Sequence, residues 1–217
     1  MSRASGYRSR FPHPATAPAD APLAWGGDLE PETLLDAYWH GIFPWPSGSE
    51  LFWWSPDPRA VIPLDGLRIT RSLRRTLRSG RFSHSVDRAC ADVVAACADR
   101  PEEGTWITPA MVDAYGVLHH LGYVHSVEVW DDTGELVGGL YGVTVGAAFV
   151  GESMFHRVAD ASKVALVTLT EHLRARRFVL LDAQLPTEHL CRLGATTIPR
   201  ARYLELLANA RDRPVQF

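Results

Sequence analysis

Cysteine is scarce: three in 217 residues, an odd count that argues against a disulfide framework. Cys90 and Cys97 share a face of an expected helix, but the rise of that helix separates them by about 10 Å, beyond disulfide reach. They read as small buried residues. Metal-ligand spacing is missing too, with no Cys-x-x-Cys and no His-Glu-x-x-His, while the adjacent His119 and His120 point to different helix faces. No metal is expected. No apolar run approaches the roughly 18 residues that a bilayer span needs, and residues 1–22 lack the apolar segment of a signal peptide. The expectation is a soluble, cytoplasmic protein without membrane contact. Neither sign of charge dominates: a net charge of -3 and a pI near 6.3 exclude an indiscriminate polyanion binder and leave room for a local basic face. The loops that cradle cofactors are absent as well. Acetyl-CoA enzymes normally hold pyrophosphate in an Arg/Gln-x-x-Gly-x-Gly/Ala loop, and neither it nor Gly-x-Ser-x-Gly, a Walker loop or a dinucleotide fingerprint occurs. No cofactor is expected.

What is present is globular: 46% hydrophobic and 22% charged residues can build a core, in one compact domain or a small domain leaning on a larger one. Residues 1–22 offer only Tyr7 and Phe11 as large apolar groups and read as a loose arm. Residues 23–63 are rich in Trp, Pro and Gly around one helix, Pro31 to Trp39, and form a small N-terminal domain. Residues 64–217 form the second. Helical spacing recurs near 70–79, 86–98 and 108–121, and the period then shortens to two from Val124 to Phe155, with a turn at Asp132-Thr133-Gly134 and a second around Gly146. Ala161 to Arg176 is an amphipathic helix, Phe178 to Asp182 a buried strand, and Pro186 to Leu193 a helix stopped by Gly194. That order predicts an α+β fold with a largely antiparallel sheet.

Four features carry chemistry. Arg71, Arg74, Arg75 and Arg78 recur at helical offsets of three and four with no acid among them, a positive stripe suited to phosphate; the plainer alternative is a solvated face in a chain whose only lysine is Lys163. Trp45, Trp53 and Trp54 stand in proline-fixed loops, and Trp106 just ahead of a helix, where indoles either stack on nucleobases or fill the core of a small domain. Glu152 follows an apolar strand between glycine and serine, a place where an acid needs a partner or binds a cation. Asp182 and Gln184 lie two apart at the end of a buried strand, on one face, suited to hydrogen-bond relay or transition-state orientation; Asp182 could instead cap the next helix.

Together, Gly26-Gly27-Asp28-Leu29, Tyr38 with Gly41-Ile42-Phe43-Pro44-Trp45, Trp53-Trp54-Ser55-Pro56-Asp57-Pro58-Arg59, Glu103-Gly104-Thr105-Trp106-Ile107, His125-Ser126-Val127-Glu128-Val129-Trp130, Leu136-Val137-Gly138-Gly139-Leu140-Tyr141-Gly142-Val143, Gly151-Glu152-Ser153-Met154-Phe155, Ala161-Ser162-Lys163 and Leu193-Gly194-Ala195 resemble the bacterial leucyl/phenylalanyl-tRNA protein transferases, in order from about residue 23 to 207. The resemblance implies a small N-terminal domain packed on a GNAT-like acyltransferase domain. It also implies the activity: transfer of leucine or phenylalanine, with methionine as a further donor, from aminoacyl-tRNA to the N-terminal Arg or Lys of proteins, marking them for N-degron proteolysis. By the same resemblance, Arg71, Arg74, Arg75 and Arg78 contact tRNA, and Trp45 and Trp106 meet the aminoacyl-adenosine end. Leu140, Phe149, Met154, Leu166, Leu169, Leu173 and Leu181 form the amino-acid pocket, and Asp182, Gln184 and Glu152 the catalytic group. Where relatives carry Met or Phe this chain has Leu140, Leu169 and Leu173, and the family's Asp-Cys-Gln becomes Asp182-Ala183-Gln184. Two other functions fit the same fold: an acetyl-CoA dependent N-acetyltransferase, against which the missing pyrophosphate loop counts, and a non-catalytic RNA-binding module, against which the Asp182 and Gln184 pair counts.

Overall fold

The period-two stretch in the middle of the chain becomes the centre of the molecule. In the computed structural model, which describes residues 8–99 and 104–217, a seven-stranded sheet has the order β10-β4-β9-β8-β7-β6-β5. Its strands are β4 (Arg59–Val61), β5 (Ser83–Val86), β6 (Val124–Trp130), β7 (Leu136–Val145), β8 (Ala148–His156), β9 (Leu180–Gln184) and β10 (Thr196–Ile198). A three-stranded sheet, ordered β1-β3-β2, joins β1 (Ala24–Trp25), β2 (Phe43–Pro44) and β3 (Phe52–Trp54). Every neighbouring pair of the large sheet is antiparallel except β8 and β9, which run parallel. The α+β class with a largely antiparallel sheet is therefore what folds.

Helices cover both faces, because the inner strands are apolar on both sides. On one face, α5 (Ala161–Ala175) packs Leu166, Leu169 and Leu173 with Leu140, Phe149 and Leu181, and α2 (Arg71–Arg78) joins that layer through Leu73 alone. Gly138 lets α5 come close: a Cβ there would stand 2.5 Å from that of Ala161. On the other face lie α1 (Pro31–Trp39), α3 (Cys90–Ala98), α4 (Pro109–His120) and α7 (Arg200–Arg211), whose Tyr38, Cys97, Tyr115 and Tyr203 share a core with Tyr141, Val143 and Val150. A short α6 (Glu188–Arg192) leads into β10. Cys90 and Cys97 are both buried.

Several expectations change. The helix read over 86–98 divides, because Ser83–Val86 pairs with β6 as an edge strand and Asp87 turns the chain at a positive φ of 56°. The helix after Pro186 shrinks to α6, with Thr187 accepting the Leu190 N–H. Residues 9–18, read as part of a loose arm, are bound down: Ser9 donates to Asp36 at 2.9 Å, Phe11 sits 4.6 Å from Trp53, and the Arg200 guanidinium donates to the carbonyls of Ala17 and Pro18. Nothing in the composition shows this, because the partners are distant in sequence. The division after Pro63 also moves, since Arg59–Val61 is a strand of the large sheet.

Candidate active site

Strands β8 and β9 stay in register only as far as Val150 opposite Asp182, and beyond that pair they part. Each carries a bulge at that point. Against β7 the register steps from Tyr141–Ser153 to Gly142–Gly151, leaving Glu152 as the extra residue, and against β4 it steps past Ala183. A bulge inverts the alternation beyond it. Phe149 accordingly faces α5 while Phe155 faces the opposite layer. The gap between the parting strands is a cavity of about 220 Å³.

Its inner end is apolar, formed by Leu140 on β7, Met154 on β8, Leu166 and Leu169 on α5, and Leu181 on β9. Its polar rim holds Glu152 and Gln184. Trp45 and Trp106 flank it with their rings 6.0 Å apart at 46°. Two residues expected in the pocket do not line it: Phe149 and Leu173 are wholly buried behind it, in the layer between sheet and α5. Glu103, quoted with Trp106, lies outside the described residues. Trp53 is a core residue, 1% exposed, with its indole N–H donated to the Gly26 carbonyl.

Gln184 Nε2 donates to Glu152 Oε1 at 2.6 Å across the gap, and Tyr115 donates to Glu152 Oε2 at 2.8 Å. Tyr115 in turn meets the Tyr38 hydroxyl at 2.7 Å. Burial pushes the Glu152 carboxyl up to about 7, further than the hydrogen bonds from Tyr115 and Gln184 pull it down. The same burial, with Glu152 close by, holds the Tyr115 hydroxyl well above the usual tyrosine range. Glu152 is thus the residue at the rim that exchanges a proton near neutrality.

Asp182 also borders the cavity, but its carboxylate is engaged on the protein side. It is wholly buried and accepts from Arg59 Nε at 2.9 Å, Arg59 Nη2 at 2.6 Å, Tyr203 at 2.8 Å and the Gln184 backbone N–H at 2.8 Å. Arg59 also donates to the Gly41 carbonyl at 3.2 Å, and its plane lies over the Phe43 and Tyr203 rings. Burial alone would lower the Arg59 guanidinium, yet Asp182 keeps it raised. With four donors on its oxygens, Asp182 does not cap α6, whose first turn is capped by Thr187. It fixes Gln184, whose backbone has the left-handed φ of 59°. The sequence reading missed Arg59, Tyr115 and Tyr203. Arg59 ends the Trp-Trp-Ser-Pro-Asp-Pro-Arg string, but a lone arginine gives no sign that it will be buried.

All four arginines of α2 are exposed, and none forms an ion pair with a described residue. Among the described residues no group of His, Cys, Asp or Glu could hold a metal ion, and no helix is long and apolar enough to cross a membrane.

An apolar cavity ending in a carboxylate and an amide, with no nucleophile elbow, in a fold that also presents an unneutralised basic helix, has the parts of an acyl-transfer site for an already activated substrate. Comparison with known proteins makes this specific. The leucyl/phenylalanyl-tRNA protein transferase family model matches residues 61–208, and the model of that family's N-terminal domain matches residues 27–57. A leucyl/phenylalanyl-tRNA–protein transferase of Anaeromyxobacter sp. strain K is 55% identical over 208 residues, 94% of this chain and 89% of the relative. One from Aromatoleum aromaticum is 56% identical over 193 residues, 88% and 81% of the two chains. A GCN5-related N-acetyltransferase from Kribbella flavida aligns with a TM-score of only 0.34 and 14% identity, over 74% of this chain and 57% of that one. The chain belongs to the leucyl/phenylalanyl-tRNA protein transferase family, and is an aminoacyltransferase.

Removing one member of a buried ion pair leaves the other charge stranded. Asp182→Ala is expected to lose about 3 to 5 kcal/mol in urea unfolding. The double variant Arg59→Met with Asp182→Leu should recover part of that stability without regaining transfer, because Gln184 has lost its anchor. A single variant of wild-type stability would show that the pair carries no structural role.

Proposed function

We propose that this protein transfers leucine or phenylalanine, with methionine as a further donor, from aminoacyl-tRNA to the N-terminal Arg or Lys of proteins in the cytoplasm, marking them for N-degron proteolysis. The observation that carries this reading is the cavity between the parted strands: an apolar end for the side chain and a Glu152–Gln184 rim for the reacting amine and ester.

The aminoacyl ester is already activated, so positioning and a proton path suffice. The donor side chain occupies the apolar end among Leu140, Met154, Leu166, Leu169 and Leu181, and the terminal adenosine lies against Trp45 and Trp106. Because Gln184 Nε2 is engaged by Glu152, the amide presents Oε1 as an acceptor and orients an N–H of the acceptor's α-amine. The amine nitrogen attacks the ester carbonyl, the C–N bond forms and the π pair moves to oxygen. Glu152 takes a proton from the new ammonium. Collapse of the oxyanion then breaks the bond to the ribose oxygen, which leaves with the proton that Glu152 returns. Asp182 is a positioning residue, acting through the Gln184 backbone and Arg59. Arg71, Arg74, Arg75 and Arg78 hold the tRNA backbone.

Incubation with leucyl-, phenylalanyl-, methionyl- and isoleucyl-tRNA together and a protein beginning with Arg tests the reading directly. Leucine should transfer, with phenylalanine competing well because Leu140 and Leu169 leave room that larger side chains would fill, and isoleucine should be disfavoured by crowding at its β-carbon. No transfer of leucine would sink the function, and efficient transfer of isoleucine would sink the crowding argument.

The carboxylate form of Glu152 is the base, and that form increases as the pH rises through about 7. Wild-type single-turnover rates should climb through that range. Below pH 7 the logarithm of the rate should rise with a slope of about two in the wild type, one from Glu152 and one from the acceptor's own α-amine, and Glu152→Gln should lower that slope to about one and cost about a hundredfold in rate. An unchanged profile removes Glu152 from proton transfer.

Replacing Arg71 and Arg75 together by Ala should weaken aminoacyl-tRNA binding and lower the salt slope by about two, with the melting temperature held because both side chains are exposed. An unaltered slope would return the stripe to a merely solvated face.

A further inference from the structure

A second cavity, of about 500 Å³, adjoins the first and shares Trp45 and Leu185 with it. Its walls are aromatic and proline-rich, with Trp45, Phe52 and Trp54 prominent, and its charged residues are two acids, Asp20 and Asp57, with no base among the lining residues. Asp20 is exposed and Asp57 half-buried. Asp57 Oδ1 accepts the backbone N–H of Arg200 at 3.0 Å, while the Arg200 guanidinium is committed to the carbonyls of Ala17, Pro18 and Ser55. Neither carboxylate forms an ion pair with a described residue. The indole Nε1–H of Trp54 is buried with no acceptor among the described residues, a donor that a cationic group, lacking a lone pair, leaves unmet and that a backbone carbonyl of a bound peptide would satisfy.

We propose that this second cavity binds the cationic side chain of the acceptor's first residue, between the indoles of Trp45 and Trp54 and the carboxylates of Asp20 and Asp57. The assignment rests on the acceptor reading given above and deepens it. Aromatic faces and unpaired carboxylates together suit a guanidinium or an ammonium on a flexible stem. They are wrong for a nucleotide, whose phosphate would meet two negative charges and no donor of positive sign. Position agrees with charge. Leu185, which follows Gln184 directly, lines both cavities, so an α-amine held at Gln184 Oε1 stands close to the wall that the two share. The basic residue is then read on the far side of Trp45 from the donor's apolar side chain. A neutral residue would forgo these charged contacts while the same surfaces were still desolvated.

The test compares two peptides, one beginning with Arg and one with citrulline, its uncharged isostere, using leucyl-tRNA as donor and the full-length protein. The wild type should favour Arg. In the double variant Asp20→Asn with Asp57→Asn, the amide oxygen introduced at position 57 still accepts the Arg200 N–H. There the KM for the Arg peptide should rise about tenfold and the preference for Arg over citrulline should fall by a similar factor. Retained KM and preference in a variant that melts at the wild-type temperature would overturn the assignment while leaving the acceptor reading intact. A KM that rises instead for leucyl-tRNA would give the cavity to the nucleic acid. A wild type indifferent to Arg and citrulline would show that the acceptor reading itself is wrong, and this inference with it. Should the double variant fail to fold, Asp20→Asn alone, at an exposed position, must still reduce the preference, and a full preference there would count against the site.

Discussion

Two charges withdrawn from water hold the catalytic half of the molecule in place. Arg59 is 1% exposed and Asp182 not at all, so the pair persists only because nearly every donor and acceptor is satisfied. What satisfies them comes from far apart in the chain: the turn after α1 through the Gly41 carbonyl, β4 through Arg59 itself, β9 through Asp182 and Gln184, and α7 through Tyr203. Hydrophobic contacts among these elements are not directional and would tolerate small slips. The ion pair does not, since a displaced donor would leave a buried charge short of a partner. Gln184 inherits that rigidity, in a left-handed conformation that its own side chain would not favour.

The cavity, in turn, depends on interrupting the sheet. Parallel strands in continuous register have no space between them; here the last shared pair is Val150 and Asp182, and bulges at Glu152 and Ala183 turn the strand ends aside. The cost is an acid brought into an apolar layer, which is why Glu152 is surrounded by Tyr115 and Gln184 and why its carboxyl titrates near neutrality. The geometry that opens the pocket also brings a carboxylate to its rim.

The long elements were legible in the sequence because their periods are long enough to recognise. Val124–Trp130, Ala161–Ala175 and Pro109–His120 emerge close to where alternation and helical spacing put them. Short strands such as Thr196–Ile198 carry too few residues to show a period, and α7 hides its register because Arg200 is among its buried residues. At the site, Glu152, Asp182 and Gln184 stood out as polar groups at strand ends, yet only three dimensions tell them apart: both acids border the cavity, but Asp182 is enclosed by four donors, two of them from a guanidinium, while Glu152 has Tyr115 and Gln184. Phe149 and Leu173 had the right chemistry for a pocket wall and the wrong depth. Tyr115 and Arg59 could not be found locally, since each acquires its role from partners 37 and 123 residues away.

Helix α2 is attached lightly. Leu73 is its one buried residue, Thr70 caps its first turn, and Thr76 reaches Asp160 at 3.1 Å, while its four arginines stand in water with no acid on the helix to offset them. Guanidinium groups three and four residues apart repel one another along that face. Dissolved ions weaken this repulsion, and the same ions compete with phosphate for the arginines. Under the proposed function, ionic strength would act in opposite directions on the two states of the helix, steadying the free form and loosening the tRNA-bound one, with the nucleic acid serving as the counterion that the folded helix lacks.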